Sequence, residues 1–510
     1  MALTDEQQLQ LDQARALYYT PVELTAPRKY YIEDPTSLKE VALHIIGFNQ
    51  RQGEYDLLEN YYRNITKINS RMTSDVSKPN NRIGHPFAKI IVKNATSYFT
   101  GEPIKVKPHK ESRQKDLDRI DIENDTNEVN SELDRLSNLY GHAFEIHWRD
   151  NIDGKSTPRF KALSPKNCMI FHSMELDEKP IGAVVFTKKK DAVTKADHYS
   201  ATVYTETTSQ KFSFSPTKDS VENITEQPAI PHNVGFLPVI EYLNNEERES
   251  SFESVIPLID SYNSVVSDTI NESEYWADSF LVLTDMSGTD EKDVARMKRD
   301  RVLLIDGTGK AEFLNKQTND KHIENIKDRL TSDIHKFSQI PNLHDEQFAA
   351  NLSGTAIRMK IISLEEKTSE KETKFTKGLR RRYEIIFTAL DKTSLEKTTD
   401  FVTFQYTRNL PLNLIEIADM VAKAPEGLWS KKTLRTLYPI EYNEKEEAEQ
   451  IKKEAEESAN SLATADPFKV DPKEHPLGSN QGESGMAKPK VEEPPKESAP
   501  KEEPKPKEGK

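Results

Sequence analysis

The sequence predicts a helix-rich, mixed α+β protein. Apolar residues recur at helical spacing in the first fifth of the chain and again over residues 250–392. Short segments rich in β-branched and aromatic residues follow one another between residues 143 and 214, which is the pattern of strands. The 510 residues are enough for about three or four structural units of ordinary size.

Composition excludes several classes of function. The chain carries 71 Lys and Arg against 85 Asp and Glu, a net charge of −14, whereas a general nucleic-acid-binding face is basic. The single cysteine, Cys168, excludes an intrachain disulfide and a cysteine-based zinc cluster. No segment approaches the roughly 18 apolar residues of a membrane span, and the first ten residues lack a secretory signal's apolar core. We therefore expect a soluble product made inside a cell, with no membrane partner.

Helices and then a sheet are predicted before residue 250. Apolar spacing, together with Pro86 before a helix and Gly101 after it, predicts helices over 38–48, 55–62 and 87–100. A helix over 125–140 ends at Gly141. Strands follow at 143–148, 158–163, 168–171, 181–186, 200–206 and 211–214. This block predicts an α+β domain on a largely antiparallel sheet.

Three long helices are predicted between residues 250 and 392. The first two, over 251–277 and 318–340, bracket an insertion with a short helix at 291–299 and strands at 280–283, 302–305 and 311–314. The third, from about residue 354 to 391, far exceeds the usual length of about 11 or 12 residues. Because their apolar stripes are narrow and their opposite faces polar, we expect these helices to pack between subunits.

The C-terminal part of the chain changes character. From residue 441 it is nearly all charge and alanine, and from residue 466 Pro, Lys and Glu dominate. Such a composition cannot bury enough apolar surface to offset the entropy lost on ordering. We therefore predict a disordered tail over residues 461–510.

Motifs for catalysis or metal binding are not found. Gly307-Thr-Gly309-Lys310 lacks the spacing and the Ser or Thr of a phosphate-binding loop, so a β-turn is favoured. HExxH, DxDxDG and GxSxG patterns are missing, and the histidines are scattered. Glu365 and Glu366 on the third long helix lie among lysines, which predicts solvated pairs. We expect no enzyme activity, no metal and no cofactor.

A basic cluster lies near the end of the third long helix, at Arg380, Arg381 and Arg382. It could contact nucleic acid, pair with carboxylates of a neighbouring subunit, or complement the negative end of the helix dipole. The structural alternatives are favoured over DNA contact.

Nine short blocks resemble the portal proteins of long-tailed phages (siphoviruses) of Gram-positive bacteria. The most distinctive is Tyr98-Phe-Thr-Gly-Glu-Pro-Ile. The blocks occur in the family's order, at residues 81–82, 87–89, 98–104, 238–248, 257–260, 267–268, 328–335, 375–382 and 408–411. Each block is weak alone, but the ordered set, spanning roughly residues 50–420, is specific.

The resemblance implies a portal-type fold with named parts. These would be an α+β wing, a two-helix stem, a small α/β clip, a tunnel loop, a long wing helix, a helical crown and the disordered tail. In chain order they map to 1–250 (wing), 251–277 (stem), 278–317 (clip), 318–340 (stem), 341–353 (tunnel loop), 354–394 (long wing helix), 395–460 (crown) and 461–510 (tail).

The resemblance also implies a function and partners. Portal subunits form a ring, usually of twelve or thirteen copies, at one vertex of the virion's capsid, and this ring would be assembled in the host cytoplasm. Double-stranded DNA would pass through the channel during packaging and ejection without sequence preference. The ring would dock the terminase large subunit, which is the packaging ATPase, and later a head-completion adaptor, and would contact the major capsid and scaffolding proteins.

Candidate site residues follow from these assignments. The channel loop would use Asn342, Leu343, His344, Asp345, Glu346, Gln347, Phe348, Ala349 and Ala350. The channel-facing stem would present Asp260, Asn263, Ser267, Asn271, Lys321 and Lys327, although an ordinary solvated face would show the same pattern. Subunit or partner contacts in the clip would be Leu281, Leu283, Arg296, Arg299, Leu303, Ile305 and Phe313.

Two other classes of protein remain open. A non-enzymatic head-completion adaptor or scaffold-like assembly protein would share the acidic balance and the subunit-packing helices, but it has no reason to carry stem-length helices around a β insertion. A nuclease would need clustered Asp, Glu and Lys at a strand end, and no such cluster stands out in the sequence.

Overall fold

A computed structural model describes most of the chain before residue 278 and the principal elements after it. The described residues are 26–73, 78–152, 155–190, 197–217, 220–277, 280–284, 310–314, 320–342, 354–390, 401–409, 414–423 and 444–464, with a few single positions besides. The predicted tail beyond residue 464 lies outside these residues.

Among the described residues before residue 141 there are five α-helices. They are α1 (Leu38–Gly47), α2 (Asn49–Tyr62), α3 (Phe87–Thr100), α4 (Gln114–Glu123) and α5 (Thr126–Tyr140). Pro86 occupies the N-cap of α3 and Gly101 its C-cap, as the sequence predicted. Gly141 ends α5 at φ +89°, where a Cβ atom would lie 2.0 Å from the carbonyl oxygen of Arg248. The chain therefore needs glycine at this turn for both backbone and space.

Two sheets form the body of the wing. The larger comprises β1 (Tyr30–Tyr31), β5 (Cys168–His172), β6 (Pro180–Lys190), β7 (Asp197–Tyr204), β8 (Thr208–Thr217), β9 (Ser220–Glu226) and β10 (Ile230–Pro231). The smaller has the order β11-β3-β4, from β3 (His142–Ile152), β4 (Lys155–Leu163) and β11 (Val239–Leu243). Apart from the parallel pair β1–β5, every pairing in these sheets is antiparallel, which confirms the predicted mixed fold.

The main hydrophobic core joins the early helices to both sheets. It includes apolar residues from α1, α2, α3 and α5 packed with Phe171, Phe186 and Phe214 of the larger sheet. Phe375 and Leu379, which lie more than 160 positions after Phe214, complete the same core. The wing is thus closed by a helix from the second half of the chain.

The long helices occur close to their predicted bounds. They are α6 (Ile256–Ala277), α7 (Asp320–Ser338), α8 (Gly354–Lys360) and α9 (Ile362–Leu390), so the third predicted helix is interrupted at Ile361. Between α6 and α7, strands β12 (Phe280–Thr284) and β13 (Lys310–Leu314) pair antiparallel. The predicted strand at 302–305 lies outside the described residues.

The chain divides into two compact units between Glu416 and Ile417. Strand β14 (Val402–Gln405) pairs with β2 (Lys105–Pro108) and so belongs to the first unit. The observed boundary therefore falls inside the segment predicted as the crown. The later helices are α10 (Leu414–Ala422) and α11 (Glu444–Thr464), of which α11 lies in the second unit.

Candidate functional site: the stem and its anchors in the wing

The polar face of stem helix α6 is occupied by an extended segment of the same chain, residues 81–85, which we call the strap. Backbone N–H groups of alternate strap residues donate to side-chain oxygens one helical turn apart. Asn81 N lies 2.6 Å from Asn271 Oδ1, Ile83 N lies 3.0 Å from Ser267 Oγ, and His85 N lies 2.9 Å from Asn263 Oδ1. The strap runs antiparallel to α6.

This arrangement contradicts the channel-facing prediction for Asn263 and Ser267, whereas Asp260 and Asn271 stay predictions. Asn263 and Ser267 are 0% exposed in the single chain, and assembly can only increase their burial. Asn271 is half-buried under the strap, and Asp260 accepts hydrogen bonds from Tyr61 Oη at 2.8 and 2.9 Å. Their polarity reflects contacts within the chain, because buried polar atoms need partners. The sequence alone could not distinguish a face covered by the chain's own backbone from one open to solvent.

The other stem helix, α7, keeps one predicted residue exposed. Lys321 is exposed, whereas Lys327 is half-buried and forms an ion pair at 2.5 Å with Glu324 of the same helix. Helical spacing places Asn325, Ser332 and Lys336, all exposed, on the same side as Lys321. The channel-facing role of both lysines stays a prediction, and Lys321 is the more exposed of the two.

The base of the stem is held by a lysine from the long wing helix. Lys367 Nζ of α9 donates to the carbonyl oxygen of Ser338, at the end of α7, at 2.9 Å. It also donates to the carbonyl oxygen of Ser251, shortly before α6, at 3.3 Å. Burial, helped by the neighbouring positive charge of Lys371, lowers the pKa of Lys367 to about 8. One ammonium group thus joins both stem helices to the wing.

The predicted basic cluster separates into three different environments. Arg380 is exposed, Arg381 lies 4.0 Å from the ring centroid of Phe236, and Arg382 is 0% exposed. Arg382 Nε lies 2.9 Å from Glu145 Oε1 of β3, and its Nη1 donates to Asn130 Oδ1 at 2.6 Å. DNA contact by Arg382 is excluded by this burial, and its role is to fasten α9 to the smaller sheet.

Glu145 is the acceptor at the centre of this anchor. Tyr242 Oη donates to Glu145 Oε2 at 2.6 Å, and the carboxylate is 0% exposed. Burial raises the pKa of Glu145, but the charge of Arg382 and the contacts of His147 and Tyr242 outweigh burial and bring it to about 2. Helix α9 reaches this depth because Gly378 has no side chain: a Cβ there would lie 2.6 Å from the Tyr242 ring.

Two further ion pairs hold the same helix. Lys371 pairs with Asp134 of α5, where burial lowers the pKa of the lysine and raises that of the carboxyl. Glu365, predicted to be solvated, is instead bound by both Nε and Nη2 of Arg408 at 3.0 Å. Glu365 also accepts from Tyr98 Oη at 2.5 Å. These contacts explain why the resembling blocks at 98–104, 375–382 and 408–411 lie together in space.

A separate buried network lies where the smaller sheet meets α2. Glu241 of β11 accepts hydrogen bonds from Arg248 Nε and Nη2, each at 2.8 Å, and lies 2.6 Å from His142 Nδ1. Burial opposes ionisation, but Arg248 and His142 together hold the pKa of Glu241 well below its usual range. His142 Nε2 meets Tyr55 Oη at 2.5 Å. The hydrogen-bond partners of Glu241 named above therefore serve to stabilise the fold.

Few of the loop and clip candidates fall within the described residues. Leu281 pairs with Phe313, and Leu283 pairs with Ala311, in the β12–β13 ribbon. Arg296 is exposed on a helical position, and Asn342 is half-buried. Outside the described residues lie Arg299, Leu303, Ile305, Leu343, His344, Asp345, Glu346, Gln347, Phe348, Ala349 and Ala350.

In the sequence, the buried ion pairs of these anchors are visible only as polar residues that interrupt an apolar pattern. Glu145 and His147 interrupt the apolar run of β3 at alternate positions, so they share a face with each other. That spacing indicates polar residues facing inward, but it does not name Arg382, which lies 237 positions away. Among the described residues no cluster of His, Cys, Asp and Glu is arranged to hold a metal ion.

Comparison with known protein families identifies the family of this chain. The family described as "Phage portal protein, SPP1 Gp6-like" matches residues 45–461. The chain belongs to this family of phage portal proteins. The match takes in most of the segment predicted as the wing, both predicted stem helices and α9, and it decides between the open classes, since portal proteins are structural and non-enzymatic components of the virion.

Individual relatives carry the same description. The portal protein of Bacillus phage SPP1 is 22% identical over 404 residues, covering 76% of this chain and 78% of the relative. The portal protein of Clostridium phage phiCD119 is 23% identical over 389 residues, covering 72% and 84%. A solved chain titled "Neck of empty GTA particle computed with C6 symmetry" aligns with a TM-score of 0.38 at 11% identity, covering 70% of this chain and 91% of that one.

Proposed function

We propose that twelve or thirteen copies of this phage portal protein form a ring at one capsid vertex. Double-stranded DNA passes through the ring's channel during packaging and ejection. The observation that carries the proposal is the family match over residues 45–461, which includes every element that anchors the stem. The acidic balance of the chain suits a pore, because each phosphate neutralised by a cation adds to binding and would slow a moving duplex.

The channel face proposed here is the exposed side of α7. Lys321 and Lys336 lie at its two ends, about 22 Å apart along the helix axis at 1.5 Å per residue. Between them, Asn325 and Ser332 are small and polar. Widely spaced cations contact phosphates without reading the sequence, which is what a pore for any genome requires. The face of α6 under the strap has no part in this proposal.

The tunnel loop at 341–353 and the clip complete the proposed ring. The loop follows α7 directly, and at 13 residues it exceeds the usual two to eight of a helix–helix connection. In the clip, β12 and β13 pair with each other, and we assign an outer edge of this ribbon to pairing with a neighbouring chain. We assign this rim to docking of the terminase large subunit and later of the head-completion adaptor.

The remaining proposed partners meet the ring from outside the channel. The major capsid and scaffolding proteins would contact it at the vertex, and assembly would take place in the host cytoplasm. None of the described helices is long and apolar enough to cross a membrane.

Imaging tests the ring directly. Negative-stain electron microscopy of the purified protein should show rings with a central hole, and native mass measurement should give twelve or thirteen subunits. A protein that stays monomeric under all conditions, including in infected cells, would refute the proposal.

Cysteine labelling tests the channel face. Native Cys168 is buried, so cysteines introduced as Lys321→Cys and Lys336→Cys would be the reactive thiols. Their labelling should slow in DNA-filled heads compared with emptied heads. Glu175→Cys, at an exposed wing residue, is the control and should label equally in both. Equal labelling of all three variants would place α7 away from the DNA.

A further inference from the structure

The strap has a geometry that fits one position on α6. We call the three hydrogen bonds from the strap to α6 rungs. Their acceptors lie four residues apart on the helix, about 6.0 Å along its axis, while two residues of extended chain advance about 6.6 Å. The two repeats match closely enough for three consecutive rungs. A fourth rung cannot form at either end of the strap, because Pro79 has no N–H group to donate and Phe87 already begins α3.

The strap is also held from its other side. Asn64 Nδ2 donates to the carbonyl oxygen of Gly84 at 3.0 Å, and Arg82 Nη1 donates to that of Asn69 at 3.2 Å. Asn263, besides accepting from His85, donates to Thr66 Oγ1 at 3.2 Å. The strap thus lies between the stem helix and the segment that follows α2, and at its end it continues through Pro86 into wing helix α3.

We propose that the strap couples the axial position of stem helix α6 to the wing. The three rung bonds run across the helix axis, side by side. An axial displacement of α6 therefore strains all three together, whereas peeling the strap away would break them one at a time. Since α3 packs against α5 and the long helix α9, the strap transfers axial force on the stem into the core of the wing. This coupling rests on the proposed channel function, which supplies the axial force.

The rungs predict slow hydrogen exchange in a segment that has no helix or strand. In assembled rings, the amides of Asn81, Ile83 and His85 should exchange slowly, while that of Arg82 should exchange much faster. Ser267→Ala removes the middle acceptor and should speed exchange at Ile83 by about tenfold, the effect of losing one hydrogen bond. Ser261→Ala, an exposed serine on the same helix, is the control and should leave it unchanged.

A conservative pair of variants separates the rung from general destabilisation. Asn271→Leu keeps the side chain's size but loses the acceptor, and should speed exchange at Asn81 by about tenfold. Asn271→Asp keeps the acceptor and should restore slow exchange. The proposed strap would be refuted if all three amides exchanged at open-chain rates in the unaltered protein. It would also be refuted if the Asn81 amide exchanged equally fast in the two Asn271 variants.

Packaging tests the coupling itself. Rings carrying Ser267→Ala and Asn271→Leu together should assemble with normal mass but fill fewer heads with DNA than unaltered rings. Normal filling by this double variant, despite fast exchange in the strap, would refute the coupling. If the unaltered rings themselves fail to pass DNA, the proposed channel function fails instead, and the exchange results still decide whether the strap exists.

Discussion

Replacing Arg382 with methionine is expected to unfasten the long wing helix from the smaller sheet. Methionine has a similar length and no charge, so the variant chiefly removes the partner of Glu145. Both side chains of the pair are 0% exposed. Glu145 would keep the hydrogen bond from Tyr242 but would lose the positive charge of Arg382 beside it.

The expected loss of stability is about 3–5 kcal/mol, the usual cost of removing one member of a buried ion pair. A second route gives the same order. The pKa of Glu145 is about 2 in the folded chain against an ordinary 4.5, and this difference corresponds to about 3 kcal/mol at neutral pH. Because the folded pKa is depressed, the stabilisation is present above pH 4.5 and is lost as the pH falls toward 2. In Arg382→Met, burial without the arginine raises the pKa of Glu145, so the variant's deficit should shrink as the pH falls.

Urea unfolding followed by tryptophan fluorescence measures the effect, at one protein concentration because ring assembly adds to apparent stability. Arg380→Met, at the exposed neighbour on the same helix, is the matched control and should change stability by less than about 0.5 kcal/mol. Arg382→Met with Glu145→Leu should recover much of the loss, because an apolar pair can replace a buried ion pair. An unfolding midpoint for Arg382→Met equal to that of Arg380→Met would refute the reasoning.

Three further outcomes are expected. Gly141→Ala should lower the melting temperature strongly or abolish folding, because φ is +89° and the new Cβ would collide with the Arg248 carbonyl; a scan indistinguishable from the unaltered protein contradicts this. The pKa of Lys367 is about 8 in the folded chain against an ordinary 10.5, so the unfolded chain binds more protons between these two pH values and the free energy of unfolding should rise with pH there. A Lys367→Met variant should lack that rise, as parallel urea titrations would show. Deleting residues 346–350 should leave ring assembly intact but impair DNA retention or packaging, and normal phage yield would count against a role for the loop.

Local signals in the sequence predicted the elements well. Pro86 and Gly101 bound α3, Gly141 ends α5, and the apolar periodicity located α6, α7 and α9. These succeed because caps and amphipathic stripes depend on neighbours within one or two turns. Strand β14 shows where such signals stop, because its partner β2 lies nearly 300 residues earlier, and the short polar pattern of either strand does not identify the other.

The candidate site was predicted less completely. The polar stripe at Asn263, Ser267 and Asn271 was recognised, but it was assigned to a channel rather than to the strap. Arg380, Arg381 and Arg382 were recognised as a cluster, yet only the fold separates an exposed arginine from a buried one. In both cases residue type indicated that a polar partner was needed without indicating which partner.

Residue order along the chain was by itself sufficient for most helices, α4 and α10 excepted, for most strands and, through nine ordered blocks, for the family. The tertiary structure alone decided which polar faces are covered: the strap lies on α6, Arg382 meets Glu145, and Lys367 meets the end of α7 and the segment before α6. The physical reason is that helix and strand formation depends on neighbours a few positions apart. Burial of a charge or an amide is decided by groups brought together from distant parts of the chain.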